Sequence, residues 1–211
     1  MLKKLLRPLF TGLALTAAVA AAPVYAQEAD AQTTVKTAVD DVLTTIKGDP
    51  DLRGGNMAKV FQLVDQKIVP RADFKRTTQI AMGRFWNQAS PEQQQQIQDG
   101  FKTLLIRTYA GALSNVKNQT VTYKPFRADP ADTDVVVRST VNNNGEPVAL
   151  DYRMEKTANG WKVYDINISG LWLSETYKNQ FADVISKKGG VAGLVQFLDD
   201  RNAQLAKGPA K

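Results

Sequence analysis

The chain has 211 residues, 27 of them basic and 21 acidic, and it contains no cysteine and no histidine. That composition excludes disulfide staples, Ser-His-Asp and Cys-His catalytic groups, and every metal site built on His or Cys ligands. Stability must come from an ordinary apolar core, and any enzyme chemistry from Asp, Glu, Tyr, Lys or Ser alone.

Residues 1–26 read as a secretory signal peptide. Lys3, Lys4 and Arg7 make a positive start, an apolar stretch follows, and Val24-Tyr25-Ala26 closes it with small or apolar residues. No cysteine stands at that cleavage site, so it is not a lipoprotein signal. Cleavage after Ala26 leaves residues 27–211 as a single domain and lowers the formal net charge from +6 to +3. Half of the apparent basicity therefore belongs to the signal, and nucleic acid is not an expected partner. No later stretch approaches the roughly 20 apolar residues of a membrane-spanning helix, so the expected product is exported and soluble.

After a loose start at 27–32, the 3.6-residue period predicts a helix over 33–47, with Val35, Ala38, Val39, Val42, Leu43 and Ile46 on one face. Gly48-Asp49-Pro50 ends it, and 52–55 reads as a loop. Asn56 can cap a second helix carrying Met57, Val60, Phe61, Val64 and Ile68. Val69-Pro70 breaks that pattern, and a third helix follows over 75–87. Gly83 inside it is locally unfavourable and points to close packing or a bend. Ser90-Pro91-Glu92-Gln93 is a capping box with proline at the first helical position, opening a helix to about Leu113.

The period then changes to two. Strands are predicted over 120–124, 134–141, 147–156 and from Gly160 to about Gly170. In the third, Val148, Leu150, Tyr152 and Met154 share a face. In the fourth, plain alternation puts Trp161 and Val163 on one face and Tyr164, Ile166 and Ile168 on the other. Such a strand is either packed on both sides or lines a cavity on one. Helical spacing returns with Tyr177, Phe181, Val184 and Ile185, breaks at Gly189-Gly190, and resumes with Val191, Leu194, Val195 and Leu198. Helices followed by a four-stranded antiparallel meander give an α+β order in one domain.

An acid–base site built from Asp165 with Tyr109 or Tyr164 is one reading, because an Asp in an apolar strand can act as a base. A capped or solvated Asp at a strand edge is the other. No second acid and no cluster of oxyanion donors accompanies it. Asp40-Asp41 and Asp199-Asp200 sit on helices where neighbours diverge by about 100°, so neither pair can grip one metal.

Several stretches stand out as a set: Ile80-Ala81-Met82-Gly83-Arg84-Phe85-Trp86 with Ala89-Ser90-Pro91-Glu92-Gln93, the run Phe101 to Ala110, Trp161 to Ile166, Ile168-Ser169-Gly170-Leu171, and Tyr177 to Phe181. Together they resemble the toluene-tolerance, or MlaC-type, family of periplasmic phospholipid-binding proteins. Trp172 and Lys178 depart from the family pattern, which has a small polar residue and an arginine there. The resemblance implies a non-enzymatic, cofactor-free monomeric carrier that moves diacyl phospholipid through the periplasm. It would exchange lipid with an outer-membrane lipoprotein complex and an inner-membrane ABC transporter complex, and so maintain outer-membrane lipid asymmetry. A small-molecule enzyme on an NTF2-like cavity, or a periplasmic chaperone or adaptor, is the alternative.

The expected fold is helices flanking a four-stranded, curved antiparallel sheet around an apolar cavity, NTF2-like or cystatin-like. Two acyl chains of about thirty methylenes are held in a bilayer by about 20 kcal/mol or more, so the pocket should be deep, at or above about 1,000 Å³. The candidate lining is Val137, Leu150, Tyr152, Val163, Ile166 and Ile168 from the sheet, with Phe101, Leu105, Tyr109 and Phe181 from the helices. Strand parity decides which sheet face is inside, and alternation alone leaves it open.

Overall fold

The computed structural model describes residues 30–143 and 145–207. The predicted signal peptide at 1–26 lies outside the described residues. Among those described, no helix is long and apolar enough to cross a membrane.

Helix α1 (Ala31–Gly48) starts where the Asp30 carboxylate accepts from the Thr33 amide at 2.7 Å. The loop expected at 52–55 is partly a helical turn, α2 (Pro50–Arg53): the Asp49 carboxylate caps it and Leu52 is buried beneath it. Helix α3 (Met57–Leu63) carries the predicted Asn56 cap and runs straight into a π-helical turn, Val64–Ile68, then a 3-10 turn, Val69–Arg71. Pro70 cannot continue an α-helix with full hydrogen bonding, and the chain is reset there.

The single helix expected over 75–87 is instead α4 (Phe74–Met82) followed by a 3-10 stretch, Gly83–Gln88. Gly83 takes φ +53°, which lets the chain bend where a Cβ would be strained. Helix α5 (Pro91–Ser114) opens with the full capping box: Ser90 Oγ accepts from the Gln93 amide at 3.2 Å, and Gln93 Oε1 accepts from the Ser90 amide at 3.0 Å.

Five strands, not four, make the antiparallel meander β1 (Thr120–Tyr123), β2 (Asp134–Asn143), β3 (Glu146–Thr157), β4 (Gly160–Ile168) and β5 (Leu171–Trp172), in that spatial order. The two residues of β5 are too few to give a period-2 signal. Helices α6 (Leu173–Lys187) and α7 (Gly190–Ala206) follow.

Simple alternation fails in β4. Leu150 pairs with Ile168, Tyr152 with Ile166 and Arg153 with Asp165, but Met154 pairs with Val163. Tyr164 is therefore an extra residue, a β-bulge that reverses the parity of the strand. Trp161, Val163, Ile166 and Ile168 all share the face of Leu150, Tyr152 and Met154. The apparent bulk on both faces of β4 is one apolar face read across a bulge.

The bulge is anchored to α4. Thr77 Oγ1 donates to the Tyr164 carbonyl at 2.6 Å, and the Arg76 guanidinium lies 3.6 Å over the Tyr164 ring. Arg76 also bonds Asp134 at 2.8 Å and the Glu155 carboxylate, while the Tyr164 hydroxyl donates to Asp134 at 2.8 Å. Burial pushes the Glu155 carboxyl upward and the neighbouring Asp73 adds to this, against the lowering pull of Arg76.

Three apolar clusters fill the molecule. Phe101, Tyr177 and Phe181 meet edge-on at 4.8 and 5.0 Å between α5 and α6, with Leu194 and Leu198 of α7 beside them. Ile46, Val60, Leu63 and Ile106 join α1, α3 and α5. Ala31 and Val35 of α1 cover Val137, Tyr152 and Met154 on the sheet.

Candidate functional site, an apolar cavity on the sheet

Alpha-1 covers only part of the sheet's apolar face. Leu150, Val163, Ile166 and Ile168 remain as the floor of a cavity of about 310 Å³. Leu105, Tyr109 and Leu113 of α5 form the facing wall, and Val64 and Ile68 of the π-helical turn form its side. Ala112 also lines it and is exposed, so the cavity communicates with solvent on that side. The volume is well under the expected value of about 1,000 Å³.

Six of the ten predicted lining residues meet here: Leu105, Tyr109, Leu150, Val163, Ile166 and Ile168. The other four are core. Phe101 and Phe181 are fully buried in the ring cluster between α5 and α6. Val137 and Tyr152 lie on the correct face of the sheet but under α1. The sequence reading missed the π-helical turn and its continuation, where Val64, Ile68, Val69 and Ala72 reach the cavity, as well as Phe74, Leu113 and Leu173. Ile68 sat in a recognised apolar stripe, but nothing in a stripe says whether its partner is another side chain or a cavity.

Polar groups in the lining are few and mostly engaged. Lys102 Nζ reaches Asp65 at 3.1 Å. Burial raises the Tyr109 hydroxyl above the ordinary tyrosine value. Asp165 is 2% exposed, and its oxygens are taken. Oδ1 accepts from the Ile166 and Ser174 amides, each at 3.0 Å. Oδ2 accepts from Ser174 Oγ at 2.5 Å and from Arg153 at 3.1 Å. This carboxylate fastens the start of α6 to β4. The Tyr164 hydroxyl donates to Asp134, and the hydrogen bonds of Asp165 go to Arg153, Ile166 and Ser174 rather than to Tyr109 or Tyr164.

The two residues departing from the family pattern lie outside the cavity. Trp172 stands 3.9 Å beneath the Arg153 guanidinium at the start of α6. Lys178 is exposed and lines a separate hollow with Met82, Arg84 and Phe85.

An antiparallel sheet with an apolar face closed by helices around a solvent-connected apolar cavity defines a binding protein for an apolar or amphipathic ligand. The MlaC protein family profile matches residues 36–200, and the chain belongs to that family. It is 26% identical over 174 residues to the toluene tolerance protein ttg2D of Pseudomonas putida, covering 82% of this chain and 80% of that one. It is 25% identical over 132 residues to the intermembrane phospholipid transport system binding protein MlaC of Haemophilus influenzae, covering 60% and 61%. The solved structure of the phospholipid-binding protein of Ralstonia solanacearum, in complex with a phospholipid, is 89% identical. It superposes with a TM-score of 0.83 over 84% of this chain and 99% of that one.

Proposed function

We propose that this chain is a periplasmic phospholipid carrier. In this reading it is exported through the signal peptide at 1–26 and works as a monomer. It exchanges diacyl lipid with an outer-membrane lipoprotein complex and an inner-membrane ABC transporter complex. The observation that carries the reading is the solvent-connected apolar cavity on the uncovered half of the sheet, in a chain 89% identical to a protein solved with a phospholipid. The NTF2-like or cystatin-like arrangement belongs to the same reading, with helices closing over a curved sheet.

The physics sets two conditions. An engineered apolar cavity of about 150 Å³ holds benzene, about 25 Å³ per carbon, so two acyl chains of about thirty methylenes need roughly 750 Å³. A cavity of about 310 Å³ takes less than half of that. Loading therefore requires α5 or the π-helical turn to move away from the sheet. The second condition concerns direction. Lipid held about equally well by carrier and membrane gives no net flow, so direction must come from the partners or from ATP hydrolysis elsewhere.

The carrier performs no reaction in this reading. Asp165, the base candidate, has an amide or hydroxyl donor or an arginine at every contact and acts as a structural anchor.

Native mass spectrometry of the mature protein from cells, followed by organic extraction, tests the proposal. The expected result is a stoichiometric added mass matching diacyl phospholipid with mixed head groups. A clean apo mass, with no uptake from liposomes even in the presence of membrane partners, would reject it.

A further inference from the structure

Leu171 is the exposed large hydrophobic of the described residues, 66% accessible, while the other bulky apolar side chains are buried or half-buried. Its position in the sheet gives that exposure a meaning. Leu171 is paired across the strands with Ile168, and Ile168 with Leu150. Directly paired residues on antiparallel strands share a face. Leu150, Ile168 and Leu171 therefore form one apolar row. It starts on the cavity floor, runs along the half-buried Ile168, and ends in solvent.

The end of the row is held rigidly. Ser169 has φ +52° and Gly170 φ +93°, the two left-handed residues of a tight hairpin turn, and Ser169 is the one non-glycine residue with positive φ among those described. The buried Asn167 side chain accepts from the Gly170 amide at 2.8 Å, and the Ser169 amide donates to the Ala149 carbonyl at 2.9 Å. On the next residue, Trp172 is clamped under Arg153, which is itself bonded to Asp165 and Glu175. A loop free to relax would fold a leucine inward. This turn holds the backbone of Leu171 so that its side chain stands in solvent.

Resting on the carrier reading above, we propose that the β4–β5 turn is the exit lip of the cavity. Leu171 dips into the fluid phospholipid bilayer that surrounds the partner complexes while acyl chains slide along the Leu150–Ile168–Leu171 row. A bilayer is favoured over a protein cleft by the shape of the patch. Protein hot spots are central residues in broad, complementary surfaces, whereas Leu171 is a single protruding side chain between exposed Ser169, Gly170 and Glu175. A fluid apolar phase accepts such a side chain without complementary shape. One leucine gives only a weak, reversible contact, as a carrier that must leave again requires.

The test is transfer of a fluorescent phospholipid from the loaded mature protein to vesicles of phosphatidylethanolamine and phosphatidylglycerol. Leu171→Ser should slow transfer by about tenfold, the loss expected for one leucine no longer buried in the encounter. Its lipid content by extraction and its melting temperature should match wild type. Leu171→Trp should retain transfer and show a blue-shifted emission change on adding vesicles, a readout that a purely structural role would not produce. Equal transfer rates for wild type and Leu171→Ser would overturn the lip while leaving the carrier reading intact. So would a defect seen only with a protein acceptor. Wild type that carries no lipid would instead remove the carrier reading.

Discussion

Val137 and Ile168 project from the same face of the same sheet, and their side chains differ by one methylene group. Val137 is fully buried under α1, packed with Ala31, Val35 and Met154. Ile168 faces a cavity and stays half-buried. The two halves of the face have the same chemistry, and what separates them is the cover. Alpha-1 lies directly on one half, while α5 and the π-helical turn stand off the other. A core and a binding site are thus made from one apolar surface by where the helices are placed. At the edges of the sheet the Arg76–Tyr164–Asp134 contacts fasten α4 at the bulge, and Asp165 fastens the head of α6.

The comparison is put to its hardest test by placing the same charge in each half. Val137→Arg puts an unpaired charge where no water reaches, and should cost at least about 3–5 kcal/mol, much of the stability of a domain this size. The expected result is loss of the cooperative melt or an insoluble product. Leu150→Arg puts its guanidinium into a cavity that already meets solvent. It should fold, melt within a few degrees of wild type, and lose co-purified phospholipid. A folded Leu150→Arg protein that still carries lipid would take that residue out of the site. An unfolded one would mean that the cavity half is core after all.

Much of this arrangement was legible beforehand, and the failures have physical causes. Capping chemistry is local, so Asn56, Ser90 and Gln93 marked helix starts correctly. The pairing of β3 was also readable, because Val148 to Met154 alternate without interruption. The fourth strand misled because a bulge leaves no mark in an alternating pattern: Tyr164 looks like any other strand residue, and only its partners show that it is extra. Phe101 and Phe181 read as pocket residues in the sequence because large rings at helical spacing look alike whether they meet one another or a ligand. Here they meet one another, 5.0 Å apart. The π-helical turn at Val64–Ile68 was invisible for a related reason. Its stripe is that of an ordinary helix, and the one-residue change in hydrogen bonding depends on what it packs against.

A smaller effect separates anchor from chemistry. Asp165→Asn removes the charge that balances Arg153 and weakens the hold on Ser174, while leaving the shape nearly unchanged. Arg153 is partly exposed and keeps its ion pair with Glu175, so the change is tolerated better than a fully buried unpaired charge, and the expected loss is about 2 kcal/mol. Chemical denaturation should show that loss, with lipid content by extraction unchanged. Stability equal to wild type would contradict the anchoring role. Lost lipid binding in a protein that remains stable would return Asp165 to the site.

The subtlest contrast concerns protons under α1. The Tyr123 hydroxyl is buried without a hydrogen-bond partner, and burial, with the Asp40 carboxylate nearby, pushes it up to about 12. In the unfolded chain it titrates near 10. Between those values the folded protein holds a proton that the unfolded one has lost. The contribution is therefore complete below about pH 10 and is lost as the pH rises through about 12. Tyr123→Phe removes this titration and an unpaired polar atom together. At neutral pH the variant should be equal to wild type or more stable by up to about 1 kcal/mol. Above about pH 10 its urea midpoint should fall less steeply than that of wild type. The buried Tyr152 and the Asp134-bonded Tyr164 keep some slope in both proteins, since burial raises each of them as well. Parallel midpoint curves for wild type and Tyr123→Phe would show that α1 does not seal this half of the sheet from solvent as its packing indicates.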